Sequence, residues 1–205
     1  ACRWKYELRA LDPSGSERGF LPIEEDGRGT YLLNSKDLNM LSLLAELEEA
    51  GVTSFKIEGR MKSEYYLATV INAYRRALDG SSEPRLEKEL SNVAHREYTQ
   101  GYAFGENRET VNYADSQTKG DYTYIANVLG GSEGFVEAEI RNRFREGDIL
   151  EVLSPDDNFG KTFEAKEIFE EGGRRTADAK LVQAKYKISC PYHLKKGDFL
   201  RRKNA

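Results

Sequence analysis

Residues 53–63 read Thr53-Ser-Phe-Lys-Ile-Glu-Gly-Arg-Met-Lys-Ser63 and predict a strand that turns directly into a helix. Val52, Phe55 and Ile57 favour a strand, and Gly59 can adopt a turn conformation that other residues avoid. Ser63 is a typical N-cap for the helix predicted after it. The pattern therefore predicts a buried strand, a turn and a helix in immediate succession.

Four charged side chains crowd the end of this predicted strand: Lys56, Glu58, Arg60 and Lys62. In α/β folds, ligands and catalytic groups collect at the carboxyl ends of strands. Basic neighbours keep a glutamate ionised and can bind an anionic substrate. Glu58, Arg60 and Lys56 are therefore the candidate catalytic residues. The alternative is an ion pair that only stabilises the turn.

The surrounding residues predict an alternation of strands and helices. Residues 30–33 form a candidate strand, and leucines at every third position from 38 to 47 then share one face of a helix that Gly51 ends. A second helix over 63–78 has a wide apolar face, which is typical of packing on a sheet. The residues of this face are Tyr66, Val70, Ala73 and Ala77, with Leu67, Ile71, Tyr74 and Leu78 beside them. The β-α-β-α order predicts parallel pairing of the strands at 30–33 and 52–58.

The remaining chain predicts a linker and then a small β-barrel. A linker at 80–84, a short helix at 85–94 and a polar connector at 95–121 precede the change to a strand-like period at residue 122. The predicted strands are 122–129, 134–140, 148–153, 161–169, 177–182 and 198–202. Residues 143–150 also resemble residues 193–200, and each copy places a Gly-Asp turn before a strand. In a pseudo-symmetric barrel, these turns would be equivalent corners.

Composition indicates a globular protein of the cytoplasm. The 205 residues are 39% hydrophobic and 32% charged, and no apolar run approaches the roughly 20 residues that span a bilayer. No signal peptide is evident, so we expect no membrane partner. Cys2 and Cys190 are too few and too far apart for a disulfide framework or a CxxC metal site, which fits a reducing compartment.

Two observations predict that the chain is a piece of a longer protein. It starts within a Cys-Arg-Trp motif and without an initiator Met. Two strands do not make a stable parallel sheet, so further strands are expected upstream of Ala1.

Charge is distributed unevenly along the barrel segment. Residues 133–173 carry twelve acidic and five basic side chains, a net charge of −7, whereas residues 174–205 carry ten basic and two acidic, a net of +8. A basic surface can neutralise RNA phosphates. The candidate RNA-binding residues are Lys195, Lys196, Arg201, Arg202 and Lys203. The alternative is that these runs are solvated strands and a frayed terminus.

Conventional hydrolase machinery is not evident in the sequence. His95 and His193 are the only histidines, and there is no His-Glu-x-x-His helix for zinc. A Ser/His/Asp or Cys/His site would have to form around a histidine in a linker or in a barrel turn.

Three segments resemble peptidase family U32: Cys2-Arg-Trp-Lys-Tyr6, Tyr31-Leu-Leu-Asn-Ser-Lys-Asp-Leu38 and, above all, Ser54-Phe-Lys-Ile-Glu-Gly-Arg-Met-Lys-Ser63. The resemblance is dense over residues 2–79. It implies a TIM-like catalytic barrel, of which residues 30–79 would be the last β-α-β-α portion. It also implies a C-terminal β-barrel similar to the second domain of translation elongation factors.

The resemblance also implies functions. Members of the family were first described as proteases, and others form 5-hydroxyuridine at the tRNA wobble position using prephenate, act on ribosomal RNA or work in ubiquinone synthesis. Several carry an iron–sulfur cluster on four cysteines. Of that set only Cys2 remains, as the candidate cofactor ligand, and Asn39 stands where some members have a cysteine. The resemblance leaves an iron–sulfur cluster open for the full-length parent, none is expected in this fragment, and no metal is assigned.

These observations predict an α+β multidomain protein. Residues 1–80 would be the end of the α/β domain, 81–121 a helix and linker, and 122–205 the β-barrel. The predicted function is support of prephenate-dependent hydroxylation of the tRNA wobble uridine, with tRNA or another RNA and the N-terminal remainder of the parent enzyme as partners. The alternatives are a collagenase-like peptidase and a non-catalytic docking module. The fragment alone is expected to be inactive.

Overall fold

A computed structural model describes residues 8–11, 14–15, 17–21, 23–26, 29–32, 35–81, 84–105 and 120–204. The chain divides into two compact units, one of residues 1–40 with 95–118 and one of residues 41–94 with 119–205. The second unit contains the helices and the large sheet.

The first unit consists of short strand pairs. Its strands are β1 (Leu8–Leu11), β2 (Glu17–Leu21), β3 (Ile23–Asp26), β4 (Gly29–Leu32), β5 (Asp37–Leu38) and β6 (Tyr98–Thr99). β1 pairs with β2 and β3 with β4, both antiparallel, while β5 pairs with β6 in parallel. The strand predicted at 30–33 is therefore β4, but the predicted parallel pairing with 52–58 is wrong. Because only two residues separate β3 from β4, the chain closes as an antiparallel hairpin.

The helix predicted at 63–78 begins at its predicted cap, whereas the first helix begins later than predicted. Leu38 lies in β5, which pairs with β6, and its side chain is 62% exposed, so the first helical turn starts only at Leu41. A 3₁₀ turn (Leu41–Leu43) leads into α1 (Leu44–Glu49), and α2 (Glu64–Leu78) and α3 (Arg85–Ser91) follow. The Ser63 side chain accepts a hydrogen bond from the backbone N–H of Tyr66, which confirms Ser63 as the N-cap of α2. Gly51 and Gly80 follow α1 and α2 with φ of +91° and +88°. Each ends its helix as the left-handed residue of a Schellman motif.

Helix α2 buries a different stripe from the predicted one. Val70 and Ala73 are buried as expected, but Tyr65 and Thr69 are buried with them, whereas Ile71 is 50% exposed. The Thr69 hydroxyl donates to the backbone oxygen of Tyr65, so its burial leaves no unsatisfied polar group.

Residues 52–58 do not form the predicted strand. A strand needs a neighbouring edge to accept its backbone hydrogen bonds, and none of the described strands pairs with this segment. Among the described residues, β5 and β6 are the one parallel pair of strands. The TIM-like character of residues 30–79 therefore stays a prediction.

The barrel segment forms a curled antiparallel sheet, a half-barrel. Its strands and the short pair beside it are β7 (Tyr122–Ser132), β8 (Phe135–Ile140), β9 (Phe144–Arg145), β10 (Ile149–Leu153), β11 (Thr162–Glu164), β12 (Ile168–Glu170), β13 (Arg175–Thr176), β14 (Asp178–Ala179), β15 (Lys185–Ser189) and β16 (Phe199–Lys203). The sheet order is β11-β10-β16-β7-β8-β15-β12-β13, while β9 and β14 pair separately. Alternate side chains of these strands fill one apolar core.

Three strand predictions need correction. The strand predicted at 161–169 is divided into β11 and β12, and residues 165–167 between them lie in neither. Residues 177–182 contain only the two-residue β14, and Leu181 and Val182 beyond it are 58% and 59% exposed. Conversely, β15 lies outside the predicted strands, although its burial alternates strictly, with Tyr186 and Ile188 in the core. The apolar run around residue 181 favoured the wrong segment, because a strand in this sheet is recognised by alternation rather than by mean hydropathy.

The two Gly-Asp turns are equivalent corners, as predicted. Gly147 and Gly197 have φ of +89° and +98°. In each turn, an aspartate oxygen accepts from the backbone N–H three residues earlier: Asp148 from Arg145 at 2.7 Å and Asp198 from Lys195 at 2.8 Å. The strands that follow, β10 and β16, are antiparallel neighbours, so the corners lie at opposite ends of this strand pair.

Candidate functional site

The predicted catalytic residues lie in a solvent-facing segment before α2. Lys56, Glu58 and Arg60 are exposed, whereas Phe55 and Ile57 are half-buried. Exposure thus alternates along the segment, and the three charges face solvent as one exposed row. Glu58 Oε1 accepts a hydrogen bond from the backbone N–H of Arg60 at 2.8 Å. The carboxylate therefore stabilises the turn through the backbone.

Gly59 packs closely on the side chain of Leu67, and its backbone conformation does not call for glycine. Its φ is not in the left-handed region, so the predicted reason for the glycine is wrong. A Cβ at this position would lie 2.2 Å from Leu67 Cδ2, on the side of α2. The backbone N–H of Lys62 donates to the Gly59 carbonyl at 2.9 Å and closes the turn. The segment thus packs tightly on the helix that it precedes.

The first residue of α2 binds the half-barrel through its carboxylate. Glu64 Oε1 accepts hydrogen bonds from Asn127 Nδ2 at 2.7 Å, Tyr124 Oη at 2.8 Å and Arg141 Nη2 at 3.1 Å. The bond from Asn127, followed by that from Tyr124, lowers the pKa of Glu64. The Tyr124 ring also stacks on Tyr65 of α2, with 5.0 Å between ring centroids. The start of α2 is thereby attached to β7 and to the residue that follows β8.

A buried ionic network joins α3 to the same sheet. Arg201, on β16, is fully buried and contacts the carboxylates of Glu89 on α3 and Glu151 on β10. Glu151 also accepts from Tyr122 Oη at 2.8 Å and from Arg85 Nη2 at 2.7 Å. The interaction with Glu89 raises the pKa of the Arg201 guanidinium, although burial alone would lower it. The charges are paired, so their burial is tolerated.

Two arginines attach the helices to the loop after β10. Arg76 Nη2 donates to the backbone carbonyls of residues 154–156, at 2.9 Å for the last of these. The guanidinium groups of Arg76 and Arg85 each lie 4.3 Å from the centroid of the Phe159 ring. A Cβ on Gly160 would lie 1.7 Å from Arg85 Nη1, so the glycine makes room for this cation.

Arg201 is one of the residues that the sequence predicts to bind RNA, and its burial overturns that assignment. Its side chain is 0% exposed and its charge is opposed by Glu89 and Glu151. A guanidinium enclosed in this way cannot reach a phosphate. The basic run at the C-terminus is therefore partly a structural feature of the sheet.

The other four predicted RNA-binding residues lie in two groups. Lys195 and Lys196 precede β16, and Arg202 and Lys203 end it. The strand separates the groups by about 15 Å. Both lysines of the first group are exposed, and Lys195 is paired with Asp156 at 3.0 Å. The predicted residues thus do not form one continuous surface.

The described residues contain no group of three or more His, Cys, Asp or Glu side chains that could hold a metal ion. The candidate ligand Cys2 lies outside the described residues. Cys190 is buried in the half-barrel, and burial raises the pKa of its thiol. Two cysteines do not supply the four thiolates of an iron–sulfur cluster. Within the described part of the chain, no helix is both long and apolar enough to cross a membrane.

Comparison with known families matches nearly the whole chain. The profile of peptidase family U32 matches residues 1–113, and that of the peptidase family U32 C-terminal domain matches residues 120–201. The chain belongs to peptidase family U32. The boundary between the two profiles falls just before β7, so the second profile covers the half-barrel.

Relatives within family U32 have different names. This chain is 32% identical over 202 residues to tRNA hydroxylation protein P1 of Bacillus subtilis, which covers 92% of the chain and 46% of that protein. It is 35% identical over 156 residues to tRNA hydroxylation protein P of Escherichia coli, covering 72% of the chain and 34% of that protein. A collagenase of Porphyromonas gingivalis is 28% identical over 146 residues, covering 65% and 40%. The chain thus spans about a third to a half of the length of these relatives.

One solved structure from family U32 is also similar. It is the C-terminal domain of a U32 peptidase from Geobacillus thermoleovorans, with 23% identity and a TM-score of 0.37, covering 39% of this chain and 99% of that domain.

The sequence pattern missed the residues that join the helices to the half-barrel. Glu89 falls on the buried face of α3 with Leu86, Leu90 and Val93, all of them at most 3% exposed. A carboxylate at a core-facing position of an apolar stripe signals a buried ion pair, because an unpaired buried charge is rarely tolerated. Glu64 gives no comparable signal, since acidic residues are common in the first turn of any helix.

Proposed function

We propose that this chain is the C-terminal portion of an enzyme that hydroxylates tRNA. The observation that carries the proposal is its similarity, over 202 residues, to a relative named tRNA hydroxylation protein P1. The finer proposal is prephenate-dependent 5-hydroxylation of the wobble uridine, in a compartment such as the cytoplasm where tRNA is available. The described residues form only part of such an enzyme, so the reaction requires the full-length protein.

The exposed row of Lys56, Glu58 and Arg60 supports a site for an anionic small molecule. Prephenate carries two carboxylates, and an exposed lysine and an exposed arginine four residues apart can each bind one of them. Glu58 lies between the two cations, where its free oxygen can accept or return a proton. In this proposal the cations bind and Glu58 transfers a proton.

The proposal is tested by substituting the row in the full-length protein. Glu58→Ala is expected to lower the rate of 5-hydroxyuridine formation on tRNA about 10²–10⁴-fold, as for loss of a general acid or base. Arg60→Ala is expected to raise the prephenate concentration at half-maximal rate. Mass spectrometry of tRNA nucleosides measures the product, and Glu49→Ala, an exposed carboxylate at the end of α1, is the matched control. Wild-type rates for Glu58→Ala would contradict the proposal.

The half-barrel is proposed to contact the tRNA through Lys195 and Lys196. These exposed lysines belong to a corner of the sheet and can neutralise phosphates. The double variant Lys195→Glu/Lys196→Glu should flatten the dependence of log K on log salt by about 0.7–0.9 for each phosphate that is no longer neutralised. Lys185→Glu/Lys187→Glu, on the exposed face of β15, makes the same charge change elsewhere and should leave the slope unchanged. Equal slopes for both double variants would favour a docking role for the half-barrel.

The similarity to a collagenase supports one alternative, a peptidase. Because the described residues hold no metal cluster and neither histidine lies in the exposed row, a peptidase site would have to use Glu58 or residues of the parent outside this chain. Cleavage of collagen peptides by the full-length protein, lost in Glu58→Ala while tRNA hydroxylation is absent, would favour this alternative.

A further inference from the structure

Helix α2 is attached to the half-barrel at both ends, and the two attachments differ in kind. Near its C-terminal end, Arg76 donates to three backbone carbonyls of residues 154–156 and stacks on Phe159. At its first residue, a single carboxylate accepts hydrogen bonds from three side chains of the sheet. The start of the helix is therefore attached by the carboxylate of Glu64 together with the ring of Tyr65, which stacks on Tyr124.

The Glu64 attachment directs the helix without filling the core. The carboxylate is 52% exposed, yet its Oε1 is the acceptor for Asn127, Tyr124 and Arg141 together. These bonds lower the pKa of Glu64, so the group is ionised at neutral pH. Exposed ionic contacts contribute little to stability. Their geometry can still orient a helix, because three donors on different residues converge on one oxygen.

The residues between Glu58 and Glu64 leave little freedom for the two ends to move independently. Gly59 packs on Leu67 so closely that a Cβ would not fit, and its carbonyl accepts from the Lys62 backbone. Ser63 then caps the helix. A shift or rotation of the start of α2 is therefore passed on to the exposed row of charges.

We infer that Glu64 is a positioning residue, which fixes Glu58 and Arg60 relative to the half-barrel through Asn127, Tyr124 and Arg141. This inference rests on the proposed function of the exposed row. It assigns the half-barrel a second role besides RNA contact, because three of its side chains determine where the candidate site lies.

The test compares Glu64→Ala, Glu64→Gln and Asp79→Ala in the full-length protein. Asp79 caps the other end of α2, is 62% exposed, and its carboxylate is bound by Arg75 of the same helix, so it is a matched carboxylate without the sheet contact. Turnover of unmodified tRNA with prephenate gives kcat and KM, and salt-matched titrations give the Kd for tRNA. Hydrogen exchange at the amides of Arg60 and Lys62 reports on the turn independently of activity.

Glu64→Ala is expected to lower kcat about 10- to 100-fold, as for a misplaced catalytic group, and to raise the KM for prephenate, because Arg60 is displaced together with Glu58. The KM and the Kd for tRNA should change less than about twofold. Glu64→Gln should recover most of kcat, because its amide oxygen still accepts hydrogen bonds. Exchange at Arg60 and Lys62 should be faster in Glu64→Ala only. Asp79→Ala should match the wild type in every measurement.

Two results would overturn the inference. One is a kcat for Glu64→Ala equal to that of Asp79→Ala. The other is a loss of activity that follows a fall in melting temperature and disappears on cooling. Glu58→Ala is assayed in parallel, so that failure of the positioning role of Glu64 can be distinguished from failure of the proposed function. An inactive Glu58→Ala with an active Glu64→Ala refutes only the positioning role, whereas an active Glu58→Ala refutes the proposed function and this inference with it.

Discussion

Two carboxylates attach helices to the same sheet, and they differ in almost every physical respect. Glu89 of α3 is 0% exposed and faces a fully buried guanidinium, that of Arg201. Glu64 of α2 is 52% exposed and accepts from neutral donors as well as from Arg141. Both contacts join residues 41–94 to the half-barrel. Only the first does so inside the core.

The difference in burial implies different roles: Glu89 stabilises the fold, whereas Glu64 can affect function without a large effect on stability. A buried ion pair that loses one member leaves an uncompensated charge, which costs about 3–5 kcal/mol. An exposed ionic contact contributes about 0–1 kcal/mol. Glu89 and Arg201 thus determine how α3 packs on the sheet, whereas Glu64 orients α2 and contributes little to the free energy of unfolding. The following substitutions test this contrast.

The largest effect is expected for Arg201→Met. The substitution leaves Glu89 buried without its partner, and Glu151 keeps only Arg85 and Tyr122. The free energy of unfolding should fall by about 3–5 kcal/mol. Urea unfolding followed by circular dichroism measures it. The double variant Glu89→Leu/Arg201→Met should be more stable than Arg201→Met alone, because the unpaired charge is removed. A single variant within about 1 kcal/mol of wild type would contradict the buried role.

A smaller effect is expected for Gly160→Ala compared with Gly147→Ala. Both glycines have positive φ, +75° and +89°, so alanine is strained at either position by about 1 kcal/mol. Only at Gly160 would the new Cβ also meet Arg85, at 1.7 Å from Nη1. Displacing Arg85 weakens its contacts with Glu151 and Phe159, so Gly160→Ala should cost about 1 kcal/mol more.

The control for this prediction removes the Arg85 side chain. In an Arg85→Ala background, the additional cost of Gly160→Ala over Gly147→Ala should disappear. If the difference persists without Arg85, the strain belongs to the loop and the cation does not explain the glycine. The same urea titrations supply all the values.

The pH dependence of stability should reveal the ion pair between Asp156, in the loop after β10, and Lys195, in the turn before β16. The hydrogen bond from the Asn158 backbone, followed by that from Lys195, lowers the pKa of Asp156 from 3.8 to about 2. A carboxyl whose folded pKa is depressed contributes stability above its unfolded pKa and loses it as the pH falls. Wild type should therefore lose stability between about pH 4 and pH 2, measured by thermal unfolding. Asp156→Asn should lose less over this interval, and parallel curves would refute the assignment.

The fold was predictable where the signal was local. Ser63 and Gly80 define α2 because capping depends on a few neighbouring residues, and the repeated Gly-Asp pattern identified both corners of the sheet. Residues 52–58 have strand-like composition, but composition does not specify a pairing edge. Strand formation was therefore beyond what this segment alone could predict.

The candidate site was predictable only in part, for a different reason. The charges at positions 56, 58 and 60 alternate in the sequence with the half-buried Phe55 and Ile57, so the exposed row needed no tertiary information. The burial of Arg201 and the hydrogen bonds of Glu64 depend on residues at least 50 positions away in the sequence. A count of basic residues treats Arg201 and Lys196 alike, although one neutralises buried carboxylates and the other faces solvent.

The smallest effect on stability is expected for Glu64→Gln, and this sharpens the contrast with Arg201. The amide keeps the shape and one acceptor oxygen, so the hydrogen bonds from Tyr124 and Asn127 can persist while the charge opposite Arg141 is removed. The free energy of unfolding should fall by less than about 1 kcal/mol. The difference from wild type should shrink further in high salt, since an exposed charge pair is screened. Urea titrations at two ionic strengths measure both quantities. A loss comparable to that of Arg201→Met, and insensitive to salt, would mean that Glu64 is a core contact, and the separation between fold and function at these two carboxylates would no longer hold.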